Sequence, residues 1–121
     1  MNRKPRASKL LGKEGEQKAC DYLLQHNYTI LEKNFRHKRL EIDIIALDRK
    51  EDELVFVEVK TRSSNKLEQP VSALSNQQLQ RLITAAQIYL EKRQLNKAHR
   101  FDIIGILPQK VEHLKNITVD W

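Results

Sequence analysis

The chain has few of the residues that cross-link, flex or anchor: one cysteine, three glycines and three prolines among 121 residues. The single Cys20 cannot close an intramolecular disulfide and has no CxxC partner. That excludes a disulfide scaffold and a cysteine-based zinc or redox centre, and it agrees with a reducing compartment. Any metal must then be held by oxygen or imidazole. No Gly-rich phosphate loop or dinucleotide fingerprint is present, nor a Ser, His and Asp grouping, so a nucleotide cofactor or ATP-dependent chemistry has no motif to rest on. His26, His37, His99 and His113 show neither i, i+4 pairing nor zinc spacing and are expected as scattered surface imidazoles. No apolar run approaches the ~20 residues that span a bilayer, and MNRKPRASKL lacks the apolar stretch of a signal peptide. The expected location is the cytoplasm, away from membranes.

What is abundant is positive charge. Lys and Arg number 22 against 16 Asp and Glu, a formal charge of +6. This length supports one core, burying somewhat under ~70% of the unfolded surface, and not two. A basic balance favours a polyanionic partner, because Lys and Arg displace condensed counterions from phosphates. The charge is also localised: Arg3, Lys4, Arg6, Lys9 and Lys13 crowd the start, and Arg36, His37, Lys38 and Arg39 run together. With Pro5 and no apolar anchor, residues 1–8 read as a flexible basic tail ahead of a single domain over 9–121.

Leu11, Ala19, Tyr22 and Leu23 recur at helical spacing between Leu10 and about His26. Gly12 and Gly15 within that helix imply close backbone approach to a neighbour. Thr29–Phe35, Glu41–Asp48 and Glu53–Arg62 are short, rich in β-branched residues and read as three strands. From Ser75 to about Arg93 the residues Leu79, Leu82, Ile83, Ala86, Tyr89 and Leu90 trace one helical stripe. Ser75 and Gln78 fit a capping box there, with Leu74 and Leu79 as a hydrophobic staple, and Tyr89 belongs to the core stripe. Arg100–Leu107 reads as a buried strand stopped by Pro108, and Val111–Val119 as a weaker one tethered by Trp121. The order α-β-β-β-α-β-β predicts an α/β sandwich, a central mixed sheet flanked by helices.

The anomaly lies in EIDIIALDRKEDELVFVEVKTR, where acids interrupt apolar strands and an ionised carboxylate is costly unless paired or bound to metal. Alternation places Glu41, Asp43, Ile45 and Leu47 on one face of the second strand and Ile42, Ile44 and Ala46 on the other. On the third strand Leu54, Phe56, Glu58, Lys60 and Arg62 share a face opposite Val55, Val57 and Val59. A hairpin closed by Arg49–Asp52 pairs Asp48 with Glu53, which sets Asp43 against Glu58 and Glu41 against Lys60. Two acids opposed at ~5 Å repel unless a cation lies between them, so this register implies a metal seat. The competing arrangement is a solvated salt-bridge ladder of Glu41, Glu58 and Lys60. Against it, LVFVEV reads as a covered central strand in which Glu58 is expensive to desolvate. From spacing alone, Glu16 reads as a surface glutamate near a helix start.

Gly12-x-x-Gly15-Glu16-x-x-Ala19, Glu41-Ile42-Asp43-Ile44-Ile45-Ala46, Leu54-Val55-Phe56-Val57-Glu58-Val59-Lys60-Thr61-Arg62 and the closing Arg100-Phe101-Asp102 together resemble the YraN-like family of bacterial proteins. That family is similar to PD-(D/E)xK nucleases, the restriction-endonuclease-like and Holliday-junction-resolvase-like group. The resemblance covers roughly residues 10 to 107. It implies a restriction-endonuclease-like fold and a metal-dependent endonuclease that hydrolyses phosphodiesters of DNA, including branched DNA. It makes Asp43 and Glu58 metal carboxylates, Lys60 the catalytic lysine, Glu16 a helix acid beside them and Glu41 an accessory acid. Mg²⁺ is the implied cofactor, with Mn²⁺ as substitute. Arg36, His37, Lys38, Arg39 and Arg62 would grip the backbone, and symmetric junction cutting would call for a homodimer. Leu40 and Gln78 depart from the family pattern, which has Gly and a basic residue there. A non-catalytic nucleic-acid-binding protein on the same fold is the alternative, and a protein-interaction domain a further one.

Overall fold

A computed structural model describes residues 4–64 and 74–118, with side chains from residue 12 onward. Helix α1 (Lys4–Gln25) leads into strands β1 (Tyr28–His37), β2 (Leu40–Asp48) and β3 (Glu53–Thr61). Helix α2 (Asn76–Lys92), β4 (His99–Ile106) and β5 (Val111–Leu114) complete the described elements. The strands form one sheet in the order β1-β2-β3-β4-β5. All neighbours are antiparallel except β3 and β4, which are parallel and connected through α2. This is the mixed α/β sandwich that the order of elements predicts.

Each helix buries one stripe against one face of the sheet. Leu79, Leu82, Ala85, Ala86 and Tyr89 of α2 pack with Phe35, Ile45, Phe56, Phe101 and Ile103. Ala19, Cys20 and Leu23 of α1 pack with Ile44, Ala46, Val55, Val57, Ile104 and Ile106 on the other side. β3 therefore runs covered on both faces, which is why its sequence is apolar at consecutive positions. Tyr89 sits edge-on to Phe35 and Phe56, with ring centroids 5.2 and 5.9 Å away, a core residue as its stripe implies.

Helix α2 begins as written in its sequence. The Gln78 amide N–H donates to Ser75 Oγ at 3.1 Å, and the Ser75 N–H donates to Gln78 Oε1 at 2.9 Å. The staple residues Leu74 and Leu79 are both buried in the same cluster.

Elsewhere the boundaries move. α1 starts at Lys4, inside the stretch expected as a tail and ahead of the expected Leu10. Pro5 falls in its first turn, where a missing N–H costs no helical hydrogen bond. Residues 1–3, and Trp121, lie outside the described residues. β5 ends at Leu114 rather than Val119 because the chain folds back over β4. Asn116 adopts a left-handed φ of 54° and the Ile117 N–H donates to the Phe101 carbonyl at 2.8 Å. Gly15 is needed where it stands, since a Cβ would strike the Thr61 hydroxyl. A Cβ on Gly12 would meet nothing within 4 Å, so the expected close approach holds for only one of the pair. Among the described residues no helix is long and apolar enough to cross a membrane.

Candidate active site

The β2–β3 hairpin has the expected register, with Asp48 opposite Glu53 and Ile44 opposite Val57, but its ladder stops at that last pair. Asp43 and Glu58 lie just beyond it, where the two strands part. The Val59 N–H, past the end of the ladder, donates to Asp43 Oδ2 at 2.8 Å. A side chain thus replaces the backbone partner that an unbroken hairpin would supply.

The side-chain alternation of β2 also breaks at this point. Ile42 packs with Ile45 and Phe56 on the α2 side, whereas Ile44 and Ala46 pack on the α1 side. Strict alternation would have put Ile42 with Ile44 and Ala46. The partner strand β1 shifts register between Ile30 and Glu32, and Asn34, between the Lys33–Ile44 and Phe35–Ile42 pairs, has a φ of 54°. At this break Asp43 turns toward β3, where it accepts the Val59 N–H. The expected face-to-face ladder of Asp43 with Glu58 and Glu41 with Lys60 therefore does not form as a continuation of the sheet.

The acids nevertheless meet. Burial, and then the neighbouring charge of Glu58, pushes the Asp43 carboxyl up to about 7, against an opposing hydrogen bond from Val59. Burial also raises Glu58, offset in part by the Lys60 ammonium and by a hydrogen bond from Asp43. Lys60 Nζ stands 3.8 Å from Glu58 Oε1, and the two side chains are only 13% and 27% exposed. Near neutrality the pair shares a proton more comfortably than it holds two charges.

Glu16 and Glu41 are set further out. Both add negative charge that raises Asp43 and Glu58, and both line a hollow of about 480 Å³ on the α1 side with Gly12, Lys13, Asn34 and Arg36. Glu41 also borders a cleft of about 210 Å³ on the α2 side, which contains Asp43 and Glu58. Among the described residues no three His, Cys, Asp or Glu side chains are gathered as a ready-formed metal cluster, so Glu16 does not close on the strand acids. Of the expected basic residues, Arg36 pairs with Glu41 at 3.5 Å on the surface. Lys38 occupies the β1–β2 turn at a φ of 55°, and Arg39 lines the acid cleft. Arg62, just after β3, hydrogen-bonds through its guanidinium to the Thr61 carbonyl.

The opposite end of the sheet holds a polar network that sequence reasoning missed. Arg100 donates to Asp48, Glu53, Tyr28 and Asp102 at 2.9 to 3.3 Å, through Nε and both terminal nitrogens. Asp102, fully buried, also bonds His113 Nε2 at 2.7 Å and accepts the Asn116 N–H at 2.9 Å. Burial pushes Asp102 up, but the hydrogen bonds from His113, Arg100 and Asn116 outweigh it and hold the carboxyl below the usual range. Burial raises Tyr28 to about 12. His113 is thus no surface imidazole: its side chain is 5% exposed, with Nδ1 3.1 Å from the Tyr22 hydroxyl. The signal was available, because RFDIIGIL carries two charges inside an apolar strand just as LVFVEV carries one. With its polar atoms satisfied, this network ties β1, β2, β3, β4 and β5 together at the end away from the acid pair.

Comparison with known proteins places this arrangement. A UPF0102 protein of Bacteroides fragilis is 41% identical over 110 residues, covering 88% of this chain and 89% of its own. One from Persephonella marina is 43% identical over 106 residues, covering 87% and 90%. One from Thermodesulfovibrio yellowstonii is 44% identical over 106 residues, covering 88% and 93%. Among solved structures, Hjc of Archaeoglobus fulgidus, a Holliday junction resolvase, superposes with a TM-score of 0.59 at 16% identity, over 88% of this chain and 77% of its own. That likeness gives the fold as restriction-endonuclease-like. Residues 15–106, which carry α1 from Gly15, the acid pair and β4, match the Uncharacterised protein family UPF0102, and the chain belongs to that YraN-like family.

Proposed function

We propose that this protein is a divalent-metal-dependent endonuclease that hydrolyses phosphodiester bonds of DNA. One observation carries the reading: Asp43 and Glu58 meet where β2 and β3 part, both raised by burial, with the Lys60 ammonium beside them. Two desolvated carboxylates facing one another are short of positive charge, and a divalent cation is the species that relieves them. Mg²⁺ commonly takes one or two carboxylates and keeps its remaining waters, so Asp43 and Glu58 fit it, with Mn²⁺ as substitute and Glu16 as the nearby helix acid. When bound, such an ion supplies Lewis acidity toward a phosphoryl oxygen and a water of lowered pKa.

The chain's own residues do the rest. Val59 fixes the orientation of Asp43 through its N–H. Lys60, held against Glu58, neutralises charge that develops on the phosphate or orients the attacking water. Glu41 adds to the negative field at the cleft mouth. Arg36, His37, Lys38, Arg39 and Arg62 bind the sugar-phosphate backbone without reading sequence. The fold shared with a Holliday junction resolvase supports branched DNA as the substrate, and symmetric cutting of a junction calls for a homodimer. Such an enzyme works in the cytoplasm, where the cell's DNA is.

Incubation with linear, single-stranded and four-way-junction DNA under Mg²⁺ or Mn²⁺ tests the reading. Wild type is expected to cut at least one of the three, and Lys60→Ala to lose at least about a hundredfold in rate. Salt-sensitive binding without cleavage under either ion would make the protein a binding module, and no affinity for DNA at moderate salt would end the nucleic-acid reading altogether.

A further inference from the structure

The second helix lacks a basic residue at Gln78, and both the backbone and side chain of Gln78 are committed to the capping box with Ser75. One helical turn further on, Arg81 lines the same cleft of about 210 Å³ as Asp43 and Glu58. Arg39, from the β1–β2 turn, lines it too. Two guanidiniums from different elements therefore share a small cleft with three acids, Glu41, Asp43 and Glu58, and neither forms an ion pair with those acids or with another carboxylate among the described residues. The two unpaired guanidiniums leave N–H donors for an anion at the wall of the cleft. A guanidinium meets a phosphate with two parallel N–H donors, so the anion that suits this pair is a phosphodiester group.

We infer that Arg81, with Arg39, forms the phosphate clamp of the α2-side cleft and holds the substrate strand next to Asp43 and Glu58. This rests on the reading above that the acid cleft receives a phosphodiester. Glu41 borders both this cleft and the α1-side hollow, which offers Lys13 and Arg36. A single strand can therefore pass over the open end of the hairpin with basic residues on either side of the acids.

The test is fluorescence anisotropy of a labelled four-way junction and of its single-stranded arm, without divalent ions so that nothing is cut. The proteins are wild type, Arg81→Ala, Arg39→Ala, the double variant, and Arg49→Ala at the far end of β2 as control. Arg81→Ala and Arg39→Ala should each weaken binding about tenfold and flatten the salt dependence by about one phosphate contact. The double variant should lose less than the product of the two, because both guanidiniums share one phosphate. Arg49→Ala should stay within about twofold of wild type. Wild-type affinity and salt slope in Arg81→Ala, or an equal loss in Arg49→Ala, would overturn the clamp while leaving the nuclease reading intact. If Arg81→Ala weakens binding yet wild type and Lys60→Ala alike cut nothing under Mn²⁺, the clamp stands and only the nuclease reading fails. A wild type that binds no DNA removes both.

Discussion

Replacing Asp43 by Asn isolates the electrostatic cost built into the acid pair. The Asp43 carboxyl has an ordinary value of 3.8 and is pushed up to about 7 by burial and by Glu58. At ~1.4 kcal/mol per tenfold change in proton affinity, ionising it in the folded protein costs up to ~4 kcal/mol. The unfolded chain releases this proton near 3.8, while the folded chain keeps it until about 7. The folded state binds more protons across that window, so stability falls as pH rises through it and stays low above. An amide in place of the carboxylate still accepts the Val59 N–H and can donate to Glu58 without carrying charge. Part of the gain is lost because the amide must also be desolvated and its bond to Val59 is no longer charge-assisted. The expected net stabilisation at about pH 8 is ~1–2 kcal/mol, or roughly 3–8 °C in the unfolding midpoint. It should shrink steadily toward about pH 4, where the carboxyl is neutral in both states. Circular-dichroism melts of Asp43→Asn and wild type across this range measure it directly. A saturating divalent ion should raise the wild-type midpoint and leave that of the variant unchanged. A variant no more stable than wild type at about pH 8, or with the same advantage at both ends of the range, would refute the account of a strained carboxylate pair.

The remaining expectations concern the scaffold. Arg100→Met strands Asp102 in the interior without its main cationic partner, and urea unfolding should show a loss of ~3–5 kcal/mol. Because hydrogen bonds hold Asp48 and Asp102 below the usual carboxylate range, wild type should lose the stability of this network as pH falls through their lowered values, and Arg100→Met should show a shallower acid limb. Ser75→Ala removes the capping oxygen from α2 and should cost ~1 kcal/mol in the same assay. Gly15→Ala should destabilise wild type and do so less in a Thr61→Ala background, since the Thr61 hydroxyl is the atom it strikes; Gly12→Ala, facing open space, should be neutral or gain up to ~1 kcal/mol of helix propensity.

Much of this molecule was legible in its primary structure. Period-two and helical patterning found every described element, missing chiefly the start of α1 and the end of β5, and the four-residue loop at Arg49–Asp52 set the β2–β3 register that is observed. Charged residues inside apolar strands marked Glu58 and Asp43, since an acid in a covered strand demands a partner. The same logic applied to β4 would have exposed Arg100 and Asp102, and through them the burial of His113. Other features depended on contacts between residues far apart in the chain. Neighbouring residues alone do not break the β2 alternation at Asp43; it breaks beside Asn34 of β1, whose φ is positive, and where an unpaired Val59 N–H needs an acceptor. Glu16 reads as an ordinary surface acid until α1 packs across the sheet and brings its field to the pair. Arg81 reaches the acid cleft only when α2 folds over the sheet. Local patterning determines which residues must be buried and which way each strand faces, because those follow from backbone geometry and desolvation. Which charges share a cleft is decided only by the packing of the two helices on the sheet, since proximity between distant segments has no local signature.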